Sequence, residues 1–173
     1  MRASLIALCL IAAPARAELF VDVGAGIHAV EAKIANIDET VDSTDGGVHL
    51  GFGARRAIGA SGDIGVRLEL DTVDSDLFFA VRAFDYRHHI SDKLAVGFFL
   101  GAARLDLGTP AYGYYLGAGV TLKEIRPRWD LGVDLRFGDE VARDNVLPSD
   151  PQGGSPDNFH DVTGLTVYLS YRF

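Results

Sequence analysis

Several residue types and patterns that stabilise other classes of protein are scarce in this sequence. It contains one cysteine, Cys9, one methionine and one tryptophan. After the first twenty residues, no apolar run reaches the length of about 18 residues that a membrane-crossing helix needs. No segment repeats its apolar residues at helical spacing. These absences exclude an internal disulfide, a helical membrane span and a helical bundle.

The N-terminal segment has the features of a secretory signal peptide. Arg2 is followed by a short apolar core at residues 5–13, and Ala15, Arg16 and Ala17 form the small-x-small pattern of a cleavage site. The same apolar core also fits a buried helix, but nine residues suit a signal peptide better. We therefore predict a cleaved signal peptide at residues 1–17 and one domain at residues 18–173. Leu8 precedes Cys9 where a lipoprotein signal needs a small residue, so we predict no lipid attachment.

The charge balance is acidic. The chain has 16 basic and 24 acidic residues, and removal of the predicted leader takes away Arg2 and Arg16 and leaves a formal charge of −10. A protein that binds nucleic acid neutralises phosphates with an excess of lysine and arginine. The composition therefore argues against a nucleic-acid partner.

Apolar and polar residues alternate through most of the predicted mature chain. Eight runs show this period of two, which is typical of half-buried strands: residues 19–28, 48–55, 64–71, 77–84, 94–101, 112–122, 129–137 and 164–173. Each run reaches about 9–11 residues with its ends included, the length of a tilted strand that crosses a bilayer. The sequence predicts an all-β fold of eight strands.

The connections between the runs alternate in length. Residues 56–62, 88–93 and 123–128 are short turns, residues 30–47 and 138–161 are long acidic loops, residues 104–111 form a medium loop, and residues 72–76 form a short one. Outer-membrane barrels have short periplasmic turns and longer extracellular loops. A soluble sandwich could show the same strand pattern, with the apolar face inward. The predicted signal peptide favours the membrane barrel, as do aromatic residues near the strand ends that suit interfacial girdles: Tyr112, Tyr114, Trp129, Phe137, Tyr171 and Phe173.

The last run carries the most specific pattern. Leu169, Tyr171 and Phe173 alternate with polar residues and finish on an aromatic side chain. In this the chain resembles the small eight-stranded outer-membrane β-barrel family of the OmpA and OmpX type, over residues 19–173. The resemblance implies an antiparallel transmembrane barrel in the bacterial outer membrane, surrounded by lipid and lipopolysaccharide. It also implies that Leu169, Tyr171 and Phe173 form a signal read by the barrel-assembly machinery.

The polar face of the strands points into such a barrel. We expect the inward residues to form an internal network of ion pairs that fills the lumen, because buried charges need partners. A narrow water-filled pore lined by the same residues is the alternative. The expected interior charges are Asp22, Arg67, Glu69, Asp71, Arg82, Asp130, Asp134, Arg136 and Arg172.

Three histidines share the inward parity near the extracellular end. His28, His49 and His160 lie on strands that neighbour one another in a closed barrel, with Glu31 or Asp161 nearby. Imidazoles with a carboxylate suit zinc or copper. The same histidines could instead make the mouth sensitive to pH, or could be independent polar residues at the edges of the loops.

A fourth histidine gives the only hint of catalysis. His89 and Ser91 resemble the His-x-Ser pair of the outer-membrane lipid A deacylase family, in which histidine activates serine. Here the pair falls in a predicted periplasmic turn, where serine and aspartate are ordinary turn residues. We therefore expect no catalytic residue and no cofactor. The predicted function is a monomeric, non-enzymatic barrel that acts in envelope integrity or in surface interaction, with an extracellular protein as a possible partner of its loops. A narrow channel and a lipid-modifying enzyme are the alternatives.

Overall fold

The computed structural model describes residues 17–33, 40–73, 75–106, 109–143 and 159–173. Within these ranges there is no helix that could cross a membrane. The predicted signal peptide, apart from Ala17, lies outside the described residues. The described strands are β1 (Glu18–Lys33), β2 (Thr40–Ile58), β3 (Gly62–Val73), β4 (Asp76–His89), β5 (Leu94–Leu105), β6 (Thr109–Pro110), β7 (Gly113–Arg126), β8 (Trp129–Arg143) and β9 (Phe159–Arg172).

Eight long strands close into an antiparallel barrel. Each pairs with the next along the chain, and β1 closes the ring by pairing with β9 as well as with β2. The two-residue strand β6 pairs with the last residues of β8, where Thr109 is opposite Arg143. The predicted eight-stranded antiparallel barrel is confirmed.

The strands are tilted, and the barrel is narrow. Starting at Phe20 and following the paired residues around the ring returns to β1 at Val30, a displacement of ten residues. A displacement of this kind requires strand tilt, and eight strands leave an interior that side chains can fill. Inward residues of strands far apart in sequence therefore meet across the lumen. The residues on this path are Phe20, Gly53, Arg67, Arg82, Gly101, Tyr115, Gly138, Val162 and Val30.

The two ends of the barrel differ in their connections. One end, here called the turn end, carries the tight connections 59–61, 90–93 and 127–128 together with the beginning of β1 and the end of β9. The opposite end, the loop end, carries the connections 34–39, 74–75, 106–112 and 144–158. The predicted alternation of short turns and longer loops is confirmed.

Several strands are longer than the sequence pattern predicts. β1 has 16 residues and β2 has 19, so both continue well beyond the predicted runs of about 9–11. The predicted loop 30–47 is therefore wrong in extent, because residues up to Lys33 and from Thr40 remain paired. Likewise, β8 extends to Arg143 and β9 begins at Phe159, inside the predicted loop 138–161. Apolar alternation ends where the outward residues are no longer apolar, whereas backbone pairing can continue, and inward side chains such as Val30 and Val162 are still buried there.

The outer surface of the barrel is apolar. Its side chains would be a liability in water but suit hydrocarbon, and the strands are paired around the closed ring apart from local register shifts. This assignment of faces is confirmed for all eight strands except the second half of β4. Exposed outward residues include Leu19, Val23, Ile27, Val48, Leu50, Phe52, Leu68, Leu70, Phe98, Leu100, Leu116, Leu135, Leu165 and Val167.

A β-bulge in β4 reverses the predicted faces there. The pairing with β5 shifts between Arg82 and Phe84. As a result Phe84 turns outward, with its ring centroid 5.5 Å from that of the outward Phe98, and Asp85 and Arg87 turn inward and are buried. A bulge adds one residue to one strand, and strict alternation cannot anticipate it.

Aromatic side chains lie on the outer surface near both ends. At the turn end the ring of Tyr171 lies between Trp129 and Phe173, with centroid distances of 5.0 and 5.2 Å. Towards the loop end, Tyr112 and Tyr114 are 73% and 77% exposed. Such positions suit the membrane–water interfaces.

Candidate functional site

The candidate site is the barrel interior, and its centre is Arg67. The guanidinium lies 3.1 Å from Asp22 and 3.1 Å from Asp85, and its residue is almost fully buried. Carboxylates of Glu69 and Asp134 lie 3.7 Å away. The four acidic residues come from β1, β3, β4 and β8, so the centre exists only when the barrel is closed. A buried guanidinium surrounded by carboxylates satisfies the requirement that buried charges be paired.

A second arginine, Arg82, contacts two of these four carboxylates. Arg82 on β4 lies 2.5 Å from Glu69 and 2.7 Å from Asp134. Its guanidinium stacks 3.4 Å from the ring centroid of Phe99. The planar guanidinium suits both contacts, since it pairs with carboxylates at its edge and stacks on rings with its face.

A third arginine extends the network towards the loop end. Arg136 contacts both carboxylate oxygens of Asp71, at 2.8 and 3.0 Å, and His49 Nδ1 lies 2.8 Å from the same carboxylate. Tyr115 donates a hydrogen bond of 2.6 Å to Glu69. We call the eight charged residues described so far the ionic network: Asp22, Arg67, Glu69, Asp71, Arg82, Asp85, Asp134 and Arg136.

Glycines make room for the aromatic rings that pack into the network. Tyr168 donates a hydrogen bond of 3.2 Å to Asp134, and its ring lies against Gly132 on the neighbouring strand. A Cβ atom at Gly132 would be 2.2 Å from Tyr168 Cζ. Only glycine lets the ring approach the backbone this closely.

The interior changes character at the loop end. Beyond the ionic network, buried apolar side chains pack across the lumen, and we call this group the apolar cap. It contains Val30, Val73, Phe78, Ala80, Phe99, Ala103, Leu105, Tyr115, Val141, Ala142 and Val162. Phe99 and Tyr115 belong to both layers, because their rings contact the cap while Arg82 stacks on Phe99 and Tyr115 donates to Glu69. The cap and the network together fill this half of the barrel.

The turn end holds a looser set of charges. Arg172 is only partly buried and lies 3.5 Å from Glu18, 3.2 Å from Glu124 and 3.5 Å from Asp130. One cavity, of about 270 Å³ including the space open to solvent, lies between the side chains here, and a second lies deeper in the barrel, against Arg82, Asp85 and Asp134 of the ionic network. Arg87 lines both cavities.

The structure places all nine of the expected interior charges inside the barrel, with Arg172 at its rim. Eight of the nine are almost fully buried, whereas the Arg172 side chain is 18% exposed. The sequence prediction missed three further buried charges, those of Arg55, Asp85 and Arg87. Arg55 shares the inward parity of β2 and could have been found from the sequence. Asp85 and Arg87 could not, because the bulge in β4 changes their face.

The three histidines of the hypothetical metal site are spread along the barrel. His49 on β2 is paired with Gly24 of β1, and His160 on β9 is paired with Ala32 of β1. His28 itself lies on β1, midway between Gly24 and Ala32. Four residues separate each step, which is about 13 Å along a strand. Among the described residues no cluster of histidine, cysteine and carboxylate side chains could hold a metal ion. The register thus separates residues that the parity alone would have grouped.

The His89 and Ser91 side chains serve separate contacts. His89 Nε2 lies 2.7 Å from Asp63, on the neighbouring strand. Ser91 Oγ accepts hydrogen bonds from the backbone N–H groups of Lys93 and Leu94, at 3.3 and 3.1 Å. This is the arrangement of a serine that stabilises a turn.

The expected assembly signal lies on the outer surface of β9. Leu169 and Phe173 are exposed, at 41% and 65%, and the backbone N–H of Phe173 donates to the Leu19 carbonyl on β1. The end of β9 is therefore part of the closed ring.

Comparisons with known proteins identify the fold. No protein-family model and no curated protein sequence matches the chain. The outer-membrane protein Ail of Yersinia pestis, in a phospholipid bilayer nanodisc, is 12% identical, with 91% of this chain and 100% of that chain covered and a TM-score of 0.50. Neisserial surface protein A is 14% identical, with 91% and 99% covered and a TM-score of 0.50. The outer-membrane protein AlkL is 10% identical, with 91% and 90% covered and a TM-score of 0.50. The chain has the fold of the small eight-stranded outer-membrane β-barrels.

Proposed function

We propose that this protein is a bacterial outer-membrane barrel that is neither a channel nor an enzyme, and that it acts at the cell surface through its loop end, in envelope integrity or surface interaction. The apolar outer surface and the fold support a place in the outer membrane, with the turn end in the periplasm and the loop end outside. The observation that carries the proposal is the filled interior, in which the ionic network is covered by the apolar cap.

Because side chains fill the interior, the surface left for contact with other molecules is the rim of the barrel. The rim at the loop end is uneven. The pairing of β1 with β2 continues to Lys33 opposite Thr40, whereas β3 stops at Val73 and β4 starts at Asp76. The last strongly apolar outward residue of β1 is Ile27, so about six residues, or about 20 Å, continue beyond it. The raised side of the rim is therefore a surface that projects beyond the lipid.

The chemistry of the raised side is acidic. Its exposed carboxylates have two natural counterparts, namely divalent cations shared with the phosphates of lipopolysaccharide and the basic surface of another protein. On β1 and β2 these carboxylates are Glu31, Asp42 and Asp45, and Asp139 and Glu140 add two exposed carboxylates near the loop end of β8.

We propose that Leu169, Tyr171 and Phe173 are read by the barrel-assembly machinery, which their outward positions on β9 support. We propose no enzymatic step, since Ser91 Oγ accepts turn hydrogen bonds and His89 contacts Asp63 instead of the serine.

Single cysteines test the proposed sidedness and surface role together. Outside the predicted leader the sequence has no cysteine. In intact cells, Asp42→Cys should react with a membrane-impermeant maleimide and form cross-links to a surface component that mass spectrometry identifies. Asp92→Cys, an exposed aspartate of the turn end, is the matched control and should stay unlabelled until the outer membrane is permeabilised.

Planar-bilayer recordings test the closed interior. The purified wild-type barrel should give no discrete conductance steps. Regular steps, or labelling of Asp92→Cys from outside without labelling of Asp42→Cys, would contradict the proposal.

A further inference from the structure

The cavity at the turn end contains cations without acidic partners. Its lining includes Arg55 of β2, Arg87 of β4 and Lys123 of β7. Among the residues that the structure describes, no carboxylate oxygen lies within 4 Å of any of these three cationic groups. Three strands thus bring three unpaired positive charges to one cavity.

The carboxylates of the same cavity are already engaged. Asp63 contacts His89 at 2.7 Å, and Glu18 and Asp130 each contact Arg172 at 3.5 Å. Asp130 also accepts the backbone N–H of Glu124 at 2.8 Å. None of these carboxylates lies within 4 Å of Arg55, Arg87 or Lys123, and Asp85, whose charge attracts both arginines, is itself paired with Arg67 at 3.1 Å.

Arg55 is the strongest indication of a missing partner. The residue is only 7% exposed, and its Nη2 atom has no hydrogen-bond partner. The guanidinium lies 3.9 Å from the ring centroid of Phe20, which holds it in place without neutralising it. Arg87 has one side-chain hydrogen bond, a donation of 3.3 Å to the Tyr168 hydroxyl. A buried charge with unused donors is costly unless a counter-ion supplies acceptors.

We propose that this cavity, lined by Arg55, Arg87 and Lys123, is a binding site for a phosphate-type oxyanion on the periplasmic side. A guanidinium group can donate two parallel hydrogen bonds to two oxygen atoms of a phosphate group, and a lysine adds a point charge. The cavity is partly open to solvent, which gives a small anionic group access to it. The apolar cap at the far end of the lumen makes the site blind, so that the anion is held and not conducted.

The first experiment measures stabilisation by inorganic phosphate. The sole tryptophan, Trp129, reports the unfolding of the barrel in urea and maltoside micelles. Phosphate at 100 times its dissociation constant should raise the ratio of folded to unfolded wild-type protein about 100-fold, because only the folded state binds. Sodium chloride of equal ionic strength serves as the reference, and it should not reproduce this increase.

Two variants and a control connect the effect to the cavity. Arg55→Met should abolish the response to phosphate and, without phosphate, should be at least as stable as the wild type because an unpaired buried charge is removed. Lys123→Met, at a partly exposed position, should reduce the phosphate-induced rise in the ratio of folded to unfolded protein about tenfold. This variant keeps the test valid if Arg55→Met does not fold. Arg126→Met changes an exposed arginine of the same end that does not line the cavity, and should respond like the wild type.

Lipid nanodiscs separate the two sources of the phosphate group. Binding of inorganic phosphate in micelles would identify a water-borne oxyanion as the ligand. A response that depends on Arg55 and occurs only with phosphatidylglycerol in the disc, and not with inorganic phosphate, would identify a lipid headgroup. The proposal would be overturned if neither form of phosphate stabilised the wild type, or if Arg55→Met and Lys123→Met both responded as fully as Arg126→Met.

Discussion

The two ends of the lumen are closed by different chemistry. At the loop end, apolar side chains of the cap pack against one another across the lumen. At the turn end, charged side chains surround cavities, and Arg55 lacks a partner. The ionic network lies between them. Apolar packing can seal an opening by itself, whereas charges seal it only where each has a partner of opposite sign.

The difference agrees with the two surroundings in the proposed orientation. The cap faces the exterior of the cell, where a leak would defeat the barrier that the outer membrane provides. The turn end faces the periplasm, where water and ions can enter the cavities without crossing the membrane. In this orientation the apolar cap lies on the outer side of the ionic network and the polar recess lies on the periplasmic side.

The largest effect should come from the middle of the lumen. Replacing Arg82 with alanine would leave Glu69 and Asp134 buried with one cation fewer, and would remove the stacking on Phe99. We expect the free energy of unfolding to fall by about 3–5 kcal/mol, the usual result of breaking a buried ion pair from one side. Urea unfolding followed by Trp129 fluorescence measures this change.

A double variant distinguishes the cost of an unpaired charge from the loss of packing. Arg82→Met with Glu69→Gln removes one charge of each sign and keeps similar volume. It should recover a substantial part of the stability that Arg82→Ala loses, since buried pairs replaced together cost little. If the double variant were as unstable as the sum of the single variants, the carboxylate and guanidinium would not be coupled.

A smaller effect should follow from opening the apolar cap. Leu105 is fully buried at the end of β5, and Leu105→Ala removes three carbon atoms from the cap. The expected loss is about 2–3 kcal/mol, in the lower part of the range for such substitutions, because strand ends can relax into the space. The same unfolding assay measures it.

The outward Leu100 provides the matched control for the cap. Leu100→Ala, on the same strand but facing the lipid, creates no internal cavity and should cost clearly less than Leu105→Ala. Equal losses for the two leucines would mean that the cap contributes no more than contact with lipid or detergent.

The sequence predicts the parts of this structure that depend on a period of two. Eight strands, the outward face and most of the inward charges follow from alternation, because each strand must present one face to lipid. Asp85 and Arg87 are exceptions, since the bulge in β4 changes their face. The partners of the inward charges do not follow, because Arg67 meets Asp22 and Asp85 only through the tilt that links strands across the barrel. The bulge before Phe84 also leaves no trace in the composition of β4.

At the loop end, the sequence pattern predicts connections that are longer than those of the structure. There, β1 and β2 continue with outward residues such as Glu31 and Asp42 that are no longer apolar, so that the alternation is lost while the backbone remains paired. The separation of His28, His49 and His160 also depends on register, which a sequence pattern leaves open by one or two residues. An alternating pattern therefore predicts well whether a residue points inward or outward. It predicts less well the position of that residue along the barrel axis.

The smallest effect should come from the exposed ion pair at the turn end. Glu124 lies 3.2 Å from Arg172, and its side chain is 56% exposed. Glu124→Gln keeps the backbone N–H that donates to Asp130 and removes only the charge. We expect a loss of less than about 1 kcal/mol in low salt, since solvent screens exposed pairs. In about 1 M sodium chloride, where the screening length is about 3 Å, the difference from the wild type should vanish.

The salt dependence of this pair provides the sharpest contrast with the buried network. Asp92→Asn, at an exposed acidic residue without an ion pair among the described residues, is the control for a general change in net charge. Arg82→Ala should keep most of its effect in high salt, because ions do not reach the middle of the lumen. A loss above about 2 kcal/mol for Glu124→Gln, unchanged by salt, would mean that the ionic network extends to the turn end and that Arg172 belongs to it. Arg55 and Arg87 would then lie inside one continuous polar interior, and the division between a paired middle and an uncompensated turn end would have to be abandoned.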